Sequence, residues 1–139
     1  MPTVHTAYLG NLRTQATHLQ SGTSILTDAP TDNNGRGEAF SPTDLVVTAL
    51  GSCIITTMGI FAQRHDINLT GSTMDITKVM SSEPPRRIAK IEIKLTMMSE
   101  TELSDADRQK LIRVAHTCPV AISLHPDVEQ IIDFEWGNK

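Results

Sequence analysis

The sequence predicts an α+β chain with an antiparallel-rich sheet, a long buried central helix and a second helix. Three observations predict it. The first 27 residues read as extended segments separated by turn formers. The stretch from Leu45 to Gln63 carries no charge and follows clear helix-start signals. Further on, Ile91, Ile93, Leu95 and Met97 alternate with Lys90, Glu92, Lys94 and Thr96, the period-2 pattern of a strand with one buried face and one wet face.

Taken in order, "TVHTAYL", "LRTQATHLQ" and "TSILT" predict three strands, with turns at Gly10-Asn11 and Ser21-Gly22. The polar segment "DAPTDNNGRGEAF" predicts a long loop. Ser41 suits a helix N-cap, Pro42 the first helical position, and Asp44 closes a Ser-x-x-Asp variant of the capping box. This first helix is expected to end near His65. "STMDITKVM" reads as a strand and Pro84-Pro85 as a turn before the alternating run. A second helix is expected from Ser104, with Leu111, Val114, Ala115 and Cys118 on one face. Pro119 should break it at Cys118, and "VAISL" adds a short turn. "VEQIIDFEW" is the last strand, with Val128, Gln130, Ile132, Phe134 and Trp136 on one side.

At 139 residues the chain is expected to form a single domain spanning 1–139. Its apolar share is 39% and its aromatic share 4%, thin for a core built around so long an apolar helix. That shortage hints at surface borrowed from a partner. The formal net charge is -4 and Lys and Arg form no long run, which argues against nucleic-acid binding. "MPTVHTAYLG" has no basic start followed by an apolar stretch, so no signal peptide is expected and the cytoplasm is the expected compartment. The charge-free stretch is long enough for a membrane span. Thr48, Gly51, Ser52, Thr56, Thr57 and Gly59 dilute it, and a helix apolar all round in a soluble chain is a buried one. No membrane partner is expected.

Cys53 and Cys118 are the only cysteines, too few for a secreted disulfide framework. Most buried cysteines are inert core fillers. Here both lie on apolar faces and point toward one small core. Cys118 is expected at a helix C-terminus, where the dipole disfavours a thiolate. Cys53 lies mid-helix in apolar surroundings that raise a thiol's pKa, so a reactive sulfur there needs a cation from elsewhere. Arg13 is the candidate, on an early strand with no local acid beside it. Otherwise Arg13 is a solvated strand residue. The small neighbours Gly51, Ser52, Thr56 and Thr57 suit either close helix packing or room for a substrate.

"SGTSILTDAP", "FSPTDLVVTALGSC", "PPRRIAKI" and "CPVAISL" together resemble the OsmC/Ohr family of osmotically inducible and organic hydroperoxide resistance proteins, from Arg13 to Trp136. The resemblance implies an OsmC-like fold in an intertwined homodimer and a cofactor-free thiol peroxidase. Cys53 matches the peroxidatic cysteine, Cys118 the resolving one, and Arg13 the arginine that holds the thiolate. The implied partners are a hydroperoxide substrate and a dithiol reductant, lipoyl-type or other. In the hydroperoxide resistance branch a glutamate follows the helix-start proline and partners the arginine. That position is Thr43 here, and the acid is Asp44, one residue later. This puts the chain in the OsmC-like branch. Asp44 lies nine residues from Cys53, roughly 13.5 Å along the axis and on the opposite face, so it cannot reach Cys53 of its own helix. Asp44 either supports an arginine across a dimer or caps its helix. Arg86, Arg87 and Phe40 are candidates for a substrate rim, the arginines otherwise being a solvated strand start.

Five histidines give no ligand spacing, and no CxxC, HxxxH, GxSxG or phosphate-binding glycine loop is present, so no metal or cofactor is expected. Two further functions stay open on the same fold: a stress or binding protein for a small apolar ligand, and a thiol redox sensor.

Overall fold

A computed structural model describes residues 1–138. The chain forms two compact units, residues 1–46 and 47–139.

The first unit is a three-stranded antiparallel sheet in the order β1-β2-β3: β1 Val4–Gly10, β2 Arg13–His18 and β3 Ser24–Asp28. Gly10, Asn11 and Leu12 take positive φ in the first turn, where glycine and asparagine are the cheapest residues. The second turn spans more residues than Ser21-Gly22 predicts. His18 N–H donates to Thr23 O and Gly22 N–H to His18 O, so β2 ends at His18. This closure pairs residues whose numbers sum to 41: Thr17 with Ser24, and Arg13 with Asp28. The loop after β3 folds back on itself through a 3-10 turn at Thr31–Asn33. It returns as Phe40, whose carbonyl accepts from Asp28 N–H.

Helix α1 runs Pro42–Arg64, within a residue of the predicted bounds. Its start is a reciprocal capping box: Asp44 N–H donates to Ser41 Oγ at 3.1 Å, and Ser41 N–H to Asp44 Oδ2 at 3.0 Å.

In the second unit β4 (Thr73–Met80), β5 (Ile88–Ser99) and β6 (Glu129–Asn138) form a sheet in the order β4-β5-β6. β4 pairs with β5 antiparallel, and β5 with β6 parallel. The antiparallel-rich sheet is therefore two sheets, with one parallel pairing. β5 keeps the predicted alternation: Ile91, Ile93, Leu95 and Met97 are buried, while Lys94 and Thr96 are exposed. They face the α1 stripe Val47, Leu50, Ile54, Met58 and Ala62 in one apolar core that also takes Leu103, Leu111, Ala115 and Cys118. Gly51 lets the helix sit close: a Cβ there would lie 2.5 Å from Ile76 Cδ1 and 2.7 Å from Met74 Sδ.

Two expectations are corrected. By length and composition α1 is the one helix among the described residues able to cross a membrane, and only 33% of its most apolar window is buried. Its buried residues form a single stripe, while Ala49, Ser52, Thr56 and Ile60 on the other side are exposed. The absence of charge on that side thus does not come from burial within the chain. Second, α2 spans Asp105–Ala115, capped by Ser104, and does not reach Cys118. Its C-cap is His116, and the chain is extended at Cys118, as a residue before proline prefers. A short helix α3, Pro119–Ser123, then starts, stronger than the turn expected there.

Candidate functional site

Residues 65 positions apart meet in the core of the second unit. Cys53 projects from the middle of α1, half-buried, and Cys118 from the junction of α2 and α3, fully buried. Both thiols are free. Burial, above all, pushes the Cys118 pKa up. The nearby Cys53 thiol adds to this. So the two thiols lie near each other in one core, and burial favours the protonated form of Cys118. The helix setting of Cys118 differs from the sequence expectation. It is the N-cap of α3, with Sγ accepting from Ala121 N–H at 3.2 Å, where it was expected at a helix C-terminus. Pro119 causes this, since it forces an extended residue before it and suits the first position of a new helix. The Ala121 bond opposes the upward shift, and burial outweighs it.

Arg13 is not the acid-free cation that its sequence neighbours suggest. Its Nε donates to Asp28 Oδ1 at 2.7 Å and its Nη2 to Asp28 Oδ2 at 2.9 Å, a bidentate pair. Nη2 also donates to Glu38 Oε2 at 3.2 Å. Arg13 and Asp28 are direct cross-strand partners, so their side chains share one face of the sheet. Asp28 is 1% exposed and Glu38 is at the surface. The hydrogen bonds from Arg13 hold the Asp28 carboxyl below the usual carboxylate range and outweigh its burial. The Arg13 pKa is raised in turn. Nη1 makes no hydrogen bond to any described residue.

Asp28 and Glu38 are the two site candidates that the sequence reading missed. The signal was in the hairpin: closure at His18–Thr23 rather than Ser21-Gly22 brings Asp28 opposite Arg13. Of the two roles weighed for Asp44, the chain itself displays helix capping, and Thr43 Oγ1 lies 3.2 Å from Ser41 Oγ in the same turn. Phe40 is 54% exposed in the first unit. Arg86 and Arg87 are exposed beyond the Pro84-Pro85 turn, with the Arg87 backbone bonded to Ser81. Among the described residues, no three or more His, Cys, Asp or Glu are grouped to hold a metal ion.

The model of the OsmC-like protein family matches residues 35–132, and with them both cysteines. The chain belongs to this family. An osmotic stress induced and detoxification response protein of Psychrobacter arcticus 273-4 is 47% identical, with a TM-score of 0.91, over 97% of this chain and 96% of that one. The OsmC-like fold recurs in the organic hydroperoxide resistance protein OsmC of Legionella pneumophila, at 18% identity and a TM-score of 0.70 over 97% and 98% of the two chains. It recurs also in an organic hydroperoxide resistance protein of Vibrio cholerae with captopril in one active site, at 15% identity and a TM-score of 0.69 over 96% and 92%. No curated protein matches the chain. Within the OsmC-like family, then, this chain carries two cysteines packed into one core and an arginine bound by a buried carboxylate.

Proposed function

We propose that this OsmC-like protein is a thiol peroxidase that reduces hydroperoxides in defence against oxidative stress. The observation that carries the reading is that Cys53 and Cys118, distant in sequence and the only cysteines in the chain, pack into one core. Their settings differ as a two-step reaction needs. Cys53 is partly open, and Cys118 is closed off, its pKa pushed up by burial.

The Cys53 thiolate attacks one oxygen of the peroxide and the O–O bond breaks. The other oxygen leaves and takes a proton to become an alcohol. Cys53 becomes a sulfenic acid. The Cys118 sulfur then displaces the sulfenic oxygen, which leaves as water, and a Cys53–Cys118 disulfide forms. A dithiol reductant supplies two electrons and two protons and restores both thiols. No cofactor enters these steps. Arg13, from the same chain or from the partner in a homodimer, steadies the thiolate and the developing oxyanion through its unbonded Nη1. Arg86, Arg87 and Phe40 are proposed as rim residues. A disulfide reopened in each cycle suits a thiol-rich compartment, here the cytoplasm.

The test is consumption of an organic hydroperoxide with a dithiol reductant, for wild type, Cys53→Ser and Cys118→Ser. Wild type should turn over. Cys53→Ser should fall to the background rate. Cys118→Ser should complete one oxidation and then stall at the sulfenic acid. Absence of wild-type turnover removes the enzyme reading, and full activity in Cys118→Ser removes the resolving role.

A further inference from the structure

We propose that Asp28 is a positioning residue for Arg13. Its buried carboxylate grips the Nε–Nη2 edge of the guanidinium and leaves Nη1 as the donor offered to the reacting sulfur or peroxide oxygen. The inference rests on the reading of Arg13 given above.

A guanidinium is a flat fork, and two parallel hydrogen bonds to one carboxylate fix both its plane and its direction. Asp28 supplies both, at 2.7 and 2.9 Å, from the register position directly across the sheet. Asp28 is itself held: Glu38 N–H donates to Oδ2 at 3.1 Å. At 1% exposure it cannot trade its partner for water without leaving a charge buried and unpaired.

Glu38 has the opposite character. It makes one longer bond, at 3.2 Å, from a side chain 61% exposed. Arg13 thus meets two carboxylates, which leaves the three-residue group with one negative charge in excess. Arg36 adds a positive field at Asp28 from the same loop. An anion arriving at Arg13 can displace Glu38 into water at little cost, whereas Asp28 stays. The two acids thus divide into a fixed clamp and an exchangeable lid on the charge.

The test is the pH dependence of Cys53 alkylation, with kcat/KM measured alongside, for wild type, Asp28→Asn, Asp28→Glu and Arg13→Gln. We expect Asp28→Asn and Arg13→Gln to move the alkylation midpoint upward. Asp28→Asn should cost about 10-fold to 100-fold in kcat/KM, the scale of a misplaced catalytic group. Asp28→Glu should recover part of it. A lower melting temperature in Asp28→Asn with a wild-type alkylation profile overturns the proposal. An unmoved profile in Arg13→Gln also overturns it. If Asp28→Asn fails to fold, Asp28→Glu carries the test: a displaced profile supports positioning and a wild-type profile refutes it. Displaced profiles without peroxide turnover in wild type would remove the peroxidase reading and leave this inference standing.

Discussion

The Cys118 thiol sits between opposing influences. Full burial favours the neutral form, the contact with Cys53 favours it too, and the Ala121 N–H favours the thiolate. Burial wins, and the folded pKa lies above the ordinary thiol value. The sign of the linkage follows. Below the unfolded thiol pKa, about 8.5, both states hold the proton and pH has no effect through this group. Above it the unfolded chain releases the proton while the folded chain keeps it, so stability falls as pH rises, until the folded pKa is passed. The wild-type melting temperature should therefore drop above about pH 8.5 more steeply than that of Cys118→Ser. At most one proton per chain is at stake. Parallel melting curves for the two proteins would show that Cys118 is not held neutral. Thermal scans under reducing conditions make the comparison.

The long helix shows which features of an element are written locally and which are not. The start of α1 was legible because Ser41, Pro42 and Asp44 lie within four residues and cap one another. β5 was legible because alternation is a property of consecutive residues. The buried partner of Arg13 was not, because it depends on where the β2–β3 hairpin closes, and shifting that closure by one residue changes every pair. The place of Cys118 was missed for a related reason. The sequence shows that a helix must stop before Pro119, but not that α2 stops at Ala115 and a new helix begins. Gly51 is a case where local and tertiary demands oppose each other. Glycine weakens a helix by roughly 0.5–1 kcal/mol relative to alanine, yet here it admits Ile76 and Met74. Gly51→Ala should gain helix propensity and still lose about 1–3 kcal/mol to overpacking. The contacts are the ends of two side chains, which can shift, so the lower half of that range is expected. Urea unfolding reads the balance. A variant more stable than wild type would mean that the α1–β4 contact yields without strain.

At the scale of the molecule, the distribution of apolar surface predicts a homodimer. In the first unit Ile25 and Leu26 are each 43% exposed on opposite faces of β3, and Val4, Tyr8 and Leu9 are exposed along β1. Although Thr27 and Asp28 are buried, this three-stranded sheet leaves apolar side chains open to water on both faces. On α1 the face that includes Ala49, Ser52, Thr56 and Ile60 is uncharged and uncovered, and its small residues let another surface approach closely. Both features predict a partner that completes the core, and a homodimer would supply one without any further protein. The mass in solution should therefore be about twice the 15.2 kDa of one chain. The melting temperature should rise with protein concentration, because dissociation is coupled to unfolding. Leu26→Glu and Ile60→Glu place a charge on each uncovered surface. Each is expected to shift the light-scattering mass toward the monomer and to lower the melting temperature, while a control charge at the exposed Gln109, on α2, should do neither. A wild-type mass of one chain at micromolar concentration, with a melting temperature independent of concentration, would mean that these surfaces face water in the native protein. If the dimer forms and Leu26→Glu breaks it, the same variant should lose peroxide turnover when Arg13 acts on the partner's thiol, and keep it when Arg13 acts within its own chain.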